Sequence, residues 1–150
     1  MVDLWAIVRV RLFGVAPPNY AFVGRWIAHM AQGRFRHESI GASPAVPGER
    51  LVGWAAHYLI GIAFAILLVA VAGPAWLDWP TPGVALAVGL GTVIAPFLLL
   101  QPGMGAGIAA SRTPNPAAAR MHSLVTHGIF GLGLYISACA IQFVSRQIGA

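Results

Sequence analysis

Three long apolar runs alternate with short polar segments over the last two-thirds of the chain. They cover Leu51 to Ala72, Gly83 to Leu100 and Met121 to Val144. At 1.5 Å per residue, a run of about 18–22 apolar residues matches the roughly 30 Å hydrocarbon core of a bilayer. The pattern predicts an all-α protein, a helical integral membrane bundle with three transmembrane helices near residues 51–72, 82–100 and 120–144. Residues 1–50 carry shorter, mixed stretches and read as a cytoplasmic or interfacial amphipathic segment, so the chain divides into 1–50 and a transmembrane region 51–150.

Within the first segment, Asn19 is placed to cap a helix from Tyr20 to Gln32 that Gly33 ends. Phe22, Val23, Trp26, Ile27 and Met30 are apolar, while Arg25, His29 and Gln32 recur on another face. Such a helix suits the inner headgroup region; a packed cytoplasmic helix would carry the same pattern. Phe35 to Arg50, with Ser, Gly and two prolines, reads as a loop. Thr81 is placed to cap the second span with Pro82 at its first helical position. Pro96 lacks the amide hydrogen that would meet the Thr92 carbonyl, which predicts a kink.

Composition agrees: the chain is 58% hydrophobic and only 9% charged, where a soluble domain is about 25% charged. Its mean hydropathy is +0.76. The net charge is +5, and every basic residue is Arg. Because the arginines flank the apolar runs, the basic excess points to the membrane surface and away from nucleic acid. Arg9, Arg11, Arg25, Arg34, Arg36 and Arg50 precede the first run, and Arg112 and Arg120 follow the second. The Gly73–Pro82 connection has none, and Arg146 stands alone in the tail. The positive-inside rule then puts the N-terminal segment and the Gln101–Arg120 loop in the cytoplasm, and the Trp76–Trp79 turn and the C-terminus outside. Arg9 and Arg11 also break the early apolar stretch, so no cleavable signal is read there, and the first span serves as its own insertion signal. Cys139 is the lone cysteine and reads as a packing residue.

Two spans carry a histidine at matching depth. His57 lies six residues into the first run and His127 seven into the third, about 9 and 10 Å along the axes. Ionisable groups at such depth are costly and mark functional sites. Each sits on a face of small residues: Gly53, His57, Gly61 and Ala65 on one span, and Ser123, His127 and Gly131 on another. Ala85, Gly89 and Thr92 supply a third such face. Small residues let membrane helices approach closely. The expectation is a compact three-helix contact with both rings inward, near each other or near one shared polar partner, with Gln101 at the same side. The strings starting at His57 and His127 share His-x-x-x-Gly, which fits a parallel repeat or chance.

Two such histidines suit hydrogen bonding between helices, proton or solute handling, or metal binding. As a metal site His57 and His127 are weak, since a closed zinc site takes four ligands and no Cys-x-x-Cys or His-Glu-x-x-His accompanies them. Nothing in the pattern specifies a cofactor. The loop after the second run alternates Gly103, Gly105 and Gly107, with Arg112 and Arg120 following, and is a candidate anion-binding loop. It lacks a Walker ending, and a tight loop under the bundle is the alternative. Asp3, Glu38, Glu49 and Asp78 all lie outside the apolar runs. That counts against a carboxylate-based proton-coupled carrier and a carboxylate-ligated metalloenzyme, and no hydrolase constellation is present.

Several strings carry a family resemblance: Asp3-Leu4-Trp5, Pro18-Asn19-Tyr20, Gly24-Arg25-Trp26, His29-Met30, Gly53-Trp54-Ala55-Ala56-His57-Tyr58, Gln101-Pro102-Gly103, the stretch Ala110 to Pro116, and His127 to Tyr135. Together they cover nearly the whole chain, which resembles domain-of-unknown-function family 2938, small bacterial multi-pass membrane proteins. The resemblance implies an inner-membrane location and supplies no activity. In that family's pattern another apolar helix precedes the Asp-Leu-Trp string, whereas this chain starts two residues before it. The expectation is that the chain as given is incomplete as a stable unit, with Met1 to Phe13 the inner end of that helix. The alternative is a second copy covering the exposed face through the glycines of the second and third spans.

Two functions fit the sequence. One is a non-enzymatic membrane protein, an oligomeric solute or ion conduit or an accessory subunit, whose partners are the lipid bilayer and a second copy or another membrane helix. The other is a membrane enzyme acting on a lipid or hydrophobic substrate, with His57 or His127 as acid–base and the arginines holding a phosphate. No acid–base partner stands beside either histidine in sequence, which favours the first.

Overall fold

The computed structural model describes residues 1–14 and 16–148, and among them the chain forms five main helices and no strand. These are α1 (Val2–Phe13), α2 (Tyr20–Met30), α3 (Glu49–Ala72), α4 (Pro82–Gly103, irregular beyond Gly91) and α5 (Pro116–Ile148). Three of them, α3, α4 and α5, are long and apolar enough to cross a membrane. Large apolar side chains along them face outward, among them Leu59, Ile66, Leu99 and Phe143.

Local chemistry sets the helix ends. The Asn19 side chain accepts from the Ala21 amide at the start of α2. Gly48, at φ +78°, precedes α3, and the Glu49 carboxylate reaches back to the Val46 amide at 2.9 Å. Asn115 Oδ1 accepts from Ala118 N–H, and Pro116 opens α5, where its missing donor costs nothing. Pro82 opens α4 as expected, but Thr81 makes no side-chain cap; its hydroxyl accepts from the Trp76 indole at 3.2 Å instead. Pro96 distorts α4 by widening it into a π-helical turn over Pro96–Leu100. The Thr92 carbonyl is not left unpaired: it accepts from the Ala95 amide at 3.1 Å.

The molecule is built from two antiparallel helix pairs, α2 on α3 and α4 on α5. Glycines set both contacts. A Cβ on Gly53 would lie 2.6 Å from the Tyr20 carbonyl carbon, and one on Gly24 2.7 Å from the Gly53 nitrogen. In the other pair, a Cβ on Gly89 would lie 2.7 Å from the Gly131 nitrogen. The small-residue faces therefore do bring helices together, but Gly53 faces α2 rather than another long helix, and Gly61 faces open space. Gly89 and Gly131 meet each other, and Gly133 meets Met1, so these glycines are occupied within one chain. Leu68, Trp76, Ala85 and Ala138 form an apolar cluster that joins α3, α4 and α5 at the end remote from Glu49. Helix α1 packs on α5, with Met1 beside Gly133, and its Asp3 reaches α2 and α3.

The Arg25–His29 face of α2 is turned inward. Arg25 and His29 are only 8% and 3% exposed. The cause is a set of partners distant in sequence, which the isolated helix pattern does not contain.

Candidate functional site: three polar clusters in a helical bundle

The first cluster joins α1, α2 and α3. The His57 Nε2 lies 3.4 Å from Asp3 Oδ1, with the side chains 23% and 40% exposed. Tyr20 donates to the same oxygen at 3.3 Å and Tyr58 to Oδ2 at 3.5 Å. The imidazole stacks on Tyr20, centroids 4.3 Å apart, with Trp54 edge-on at 5.8 Å. Burial and then the Asp3 charge raise the Tyr20 phenol pKa above its usual value. Asp3 is thus the carboxylate partner of His57. The 53 residues that lie between them hide this in the sequence, and α1 is too short to register as a span.

The second cluster lies between α4 and α5. Thr92 Oγ1 donates to the Gly89 carbonyl at 2.6 Å and sits 2.8 Å from His127 Nδ1. With the hydroxyl hydrogen used on a carbonyl, the imidazole must donate, so His127 carries hydrogen on Nδ1. One turn earlier on α5, Ser123 accepts from the Gln101 amide at 3.4 Å. Gln101 and His127 therefore share one helix pair, while His57 belongs to the other. Among the described residues their polar partners differ: Asp3 for His57, and Thr92 with the Gly89 carbonyl for His127.

The third cluster fastens α2 to the loops. Arg25 holds Glu49 through two bonds of 2.8 Å and donates to the Ile40 and Ser43 carbonyls at 3.1 and 2.8 Å. His29 Nδ1 and His37 Nε2 are 2.8 Å apart, and His37 Nδ1 meets the Gly103 carbonyl at 3.3 Å. Since a carbonyl only accepts, His37 is protonated on Nδ1 and its Nε2 accepts from His29. None of these groups was singled out as a site from the sequence. The readable signal was Arg25 and His29, four apart on one helix face.

The glycine-rich loop is engaged by this third cluster rather than open. Gly103 packs against the Trp26 indole, and Gly105 lies against the Glu38 carbonyl. The amides of Met104, Gly105, Ala106 and Arg112 donate to the carbonyls of Leu100, Pro102, Gln101 and Ala106. Gly103 and Met104 in turn accept from His37 and Ile40. Four of the loop's donors are turned to its own carbonyls, and Arg120 donates to the Ala109 carbonyl at 2.8 Å. Arg112 remains exposed, and Gly107 sits against Ser111. The loop is a seat for residues 37–40. Among the described residues no group of three or more His, Cys, Asp or Glu is placed to hold a metal ion.

A family model described as a protein of unknown function, DUF2938, matches residues 1–141. The chain belongs to that family. No curated protein and no solved structure matches it. The matched stretch includes Asp3, Tyr20, His57 and His127, so every polar cluster described above lies inside the family region.

Proposed function

We propose that this family member is a non-enzymatic protein of the bacterial inner membrane that handles protons or a small solute at Asp3 and His57. The observation that carries the reading is the His57–Asp3 contact at 3.4 Å, with two tyrosine hydroxyls on the same carboxylate. His57 lies eight residues along α3 from Glu49, about 12 Å. With the arginine-rich end of the bundle in the cytoplasm, that depth lies within the inner half of the bilayer. A carboxylate and an imidazole are costly to remove from water at that depth, which marks the pair as the candidate site. His57 stands beside a carboxylate whose two oxygens also receive the Tyr20 and Tyr58 hydroxyls. In the same orientation the N-terminal segment and the 101–120 loop are cytoplasmic and the C-terminus is outside.

The test is proton movement. Full-length protein in liposomes with a trapped pH dye should collapse an imposed pH gradient faster than empty liposomes. Asp3→Asn and His57→Gln should each return the rate to that of empty liposomes. Equal rates for wild type and both variants would refute the reading.

A second reading is favoured by the same carboxylate. It fixes the imidazole as an orienting group does for a general base, so His57 would serve a membrane enzyme acting on a lipid or hydrophobic substrate. Turnover of an added lipid that is lost in His57→Gln, without any proton flux, would select it.

A further inference from the structure

Beside the first cluster lies a cleft of about 340 Å³. One face of α1, with Asp3, Ile7, Val10 and Arg11, forms one wall, and Tyr20 and Trp54 stand on the other. The lining is apolar apart from its ends. Asp3 lies at one end, and Arg11, eight residues on, is about 12 Å away along the helix.

The Asp3 carboxylate is loosely held. Its three partners stand at 3.3, 3.4 and 3.5 Å, whereas charge-assisted bonds of this kind close to about 2.7–2.9 Å. Glu49, in the same molecule, reaches 2.8 Å to Arg25 on both oxygens. A carboxylate offers about four acceptor sites, and the Asp3 side chain is 40% exposed while lining the cleft. Tyr20 and Trp54 adjoin it, and the faces of such rings attract cations. Arg11 repels a second positive charge at the far end, so the occupant carries its charge at one place only.

We propose that this cleft binds a lipophilic cation, an apolar body with a single positive charge seated at Asp3. This rests on the proton-handling reading and names its solute class. The cation takes the acceptor capacity of Asp3 that His57 and the Tyr20 and Tyr58 hydroxyls leave open.

Full-length protein in detergent would be titrated with tetraphenylphosphonium, following tryptophan fluorescence. Saturable binding is expected, and Asp3→Asn should weaken it at least about tenfold. Tetraphenylborate, of the same shape and opposite charge, should not saturate. Should Asp3→Asn fail to fold, Ile7→Trp fills the cleft without touching the carboxylate and should abolish binding. Equal affinity in both variants, equal binding of tetraphenylborate, or no saturable binding overturns the proposal. Proton flux in liposomes without tetraphenylphosphonium binding overturns the solute class and leaves the proton site standing. Binding without flux refutes proton handling and leaves the cleft as a cation site.

Discussion

Gly53→Ala should separate α2 from α3, and its cost can be worked from the geometry. The added Cβ would stand 2.6 Å from the Tyr20 carbonyl carbon, where ordinary contact begins at 3.4 Å. Both sides of the clash are helix backbone, so no side chain can swing away. The helices must part by close to about 1 Å, and overpacking of this kind costs roughly 1–3 kcal/mol. Alanine also favours a helix over glycine by about 1 kcal/mol, which would blur the result. Gly61→Ala supplies the correction: it lies two turns further along α3 with nothing within 4 Å of its Cβ. Gly61→Ala should therefore melt at or above wild type, and Gly53→Ala about 1–3 kcal/mol below Gly61→Ala. For a chain of this size that is a gap of roughly 2–12 °C in detergent. Near-ultraviolet circular dichroism gives a second readout, because the Tyr20–Trp54 ring contact at 4.5 Å spans the same interface. If the two variants melt together with unchanged aromatic spectra, α2 does not dock on α3 through Gly53, and the Asp3–His57 cluster loses its scaffold.

Arg25→Lys should lower the melting temperature even though the charge is kept, because an ammonium cannot hold both Glu49 oxygens and the Ile40 and Ser43 carbonyls; a melt identical to wild type would contradict this. Tyr20 should ionise later than an ordinary tyrosine, so in an absorbance titration Tyr20→Phe should remove the last phenol to titrate. The corresponding stabilisation is complete below about pH 10 and is lost as pH rises through the raised value. In a Cys139→Ala background, a membrane-impermeant thiol reagent added outside should modify a cysteine at position 78 and spare one at 111; the reverse pattern would invert the orientation.

What was legible in the sequence was local. Apolar run length belongs to a contiguous stretch, so the three long helices were readable to within a few residues, and so was the Asn19 cap. The close α4–α5 contact was readable in part, because Ala85, Gly89 and Thr92 on one helix and Ser123, His127 and Gly131 on the other repeat at helical spacing. The site was less legible because its members come from separate elements. Asp3 lies in a helix of 12 residues, too short to register as a span, and was read as lying outside the membrane. Only the packing of α1 on α5 brings it to His57. Arg25 and His29 read only as the polar face of an interfacial or packed helix, because Glu49 and His37 arrive from beyond a turn. Pairing of charges across such distances leaves no periodic trace.

The same contrast separates the two kinds of polar contact in this fold. Glu49 and Arg25, at 2.8 Å on both oxygens, with the Val46 amide on Glu49 and the Ile40 and Ser43 carbonyls on Arg25, form a short and well-satisfied set. His29 and His37 close similarly onto Gly103. Both fasten the α2 end of the molecule and hold the 37–40 segment on the loop after α4. Asp3 and His57 differ on each count: longer contacts, greater exposure and an adjoining cleft. A structural pair at that depth would be expected to close up, since desolvated charges gain most from short, saturated bonds. The longer contacts and the adjoining cleft at Asp3 are therefore what the proposed site rests on, whereas the tighter arginine and histidine pairs hold the α2 end together.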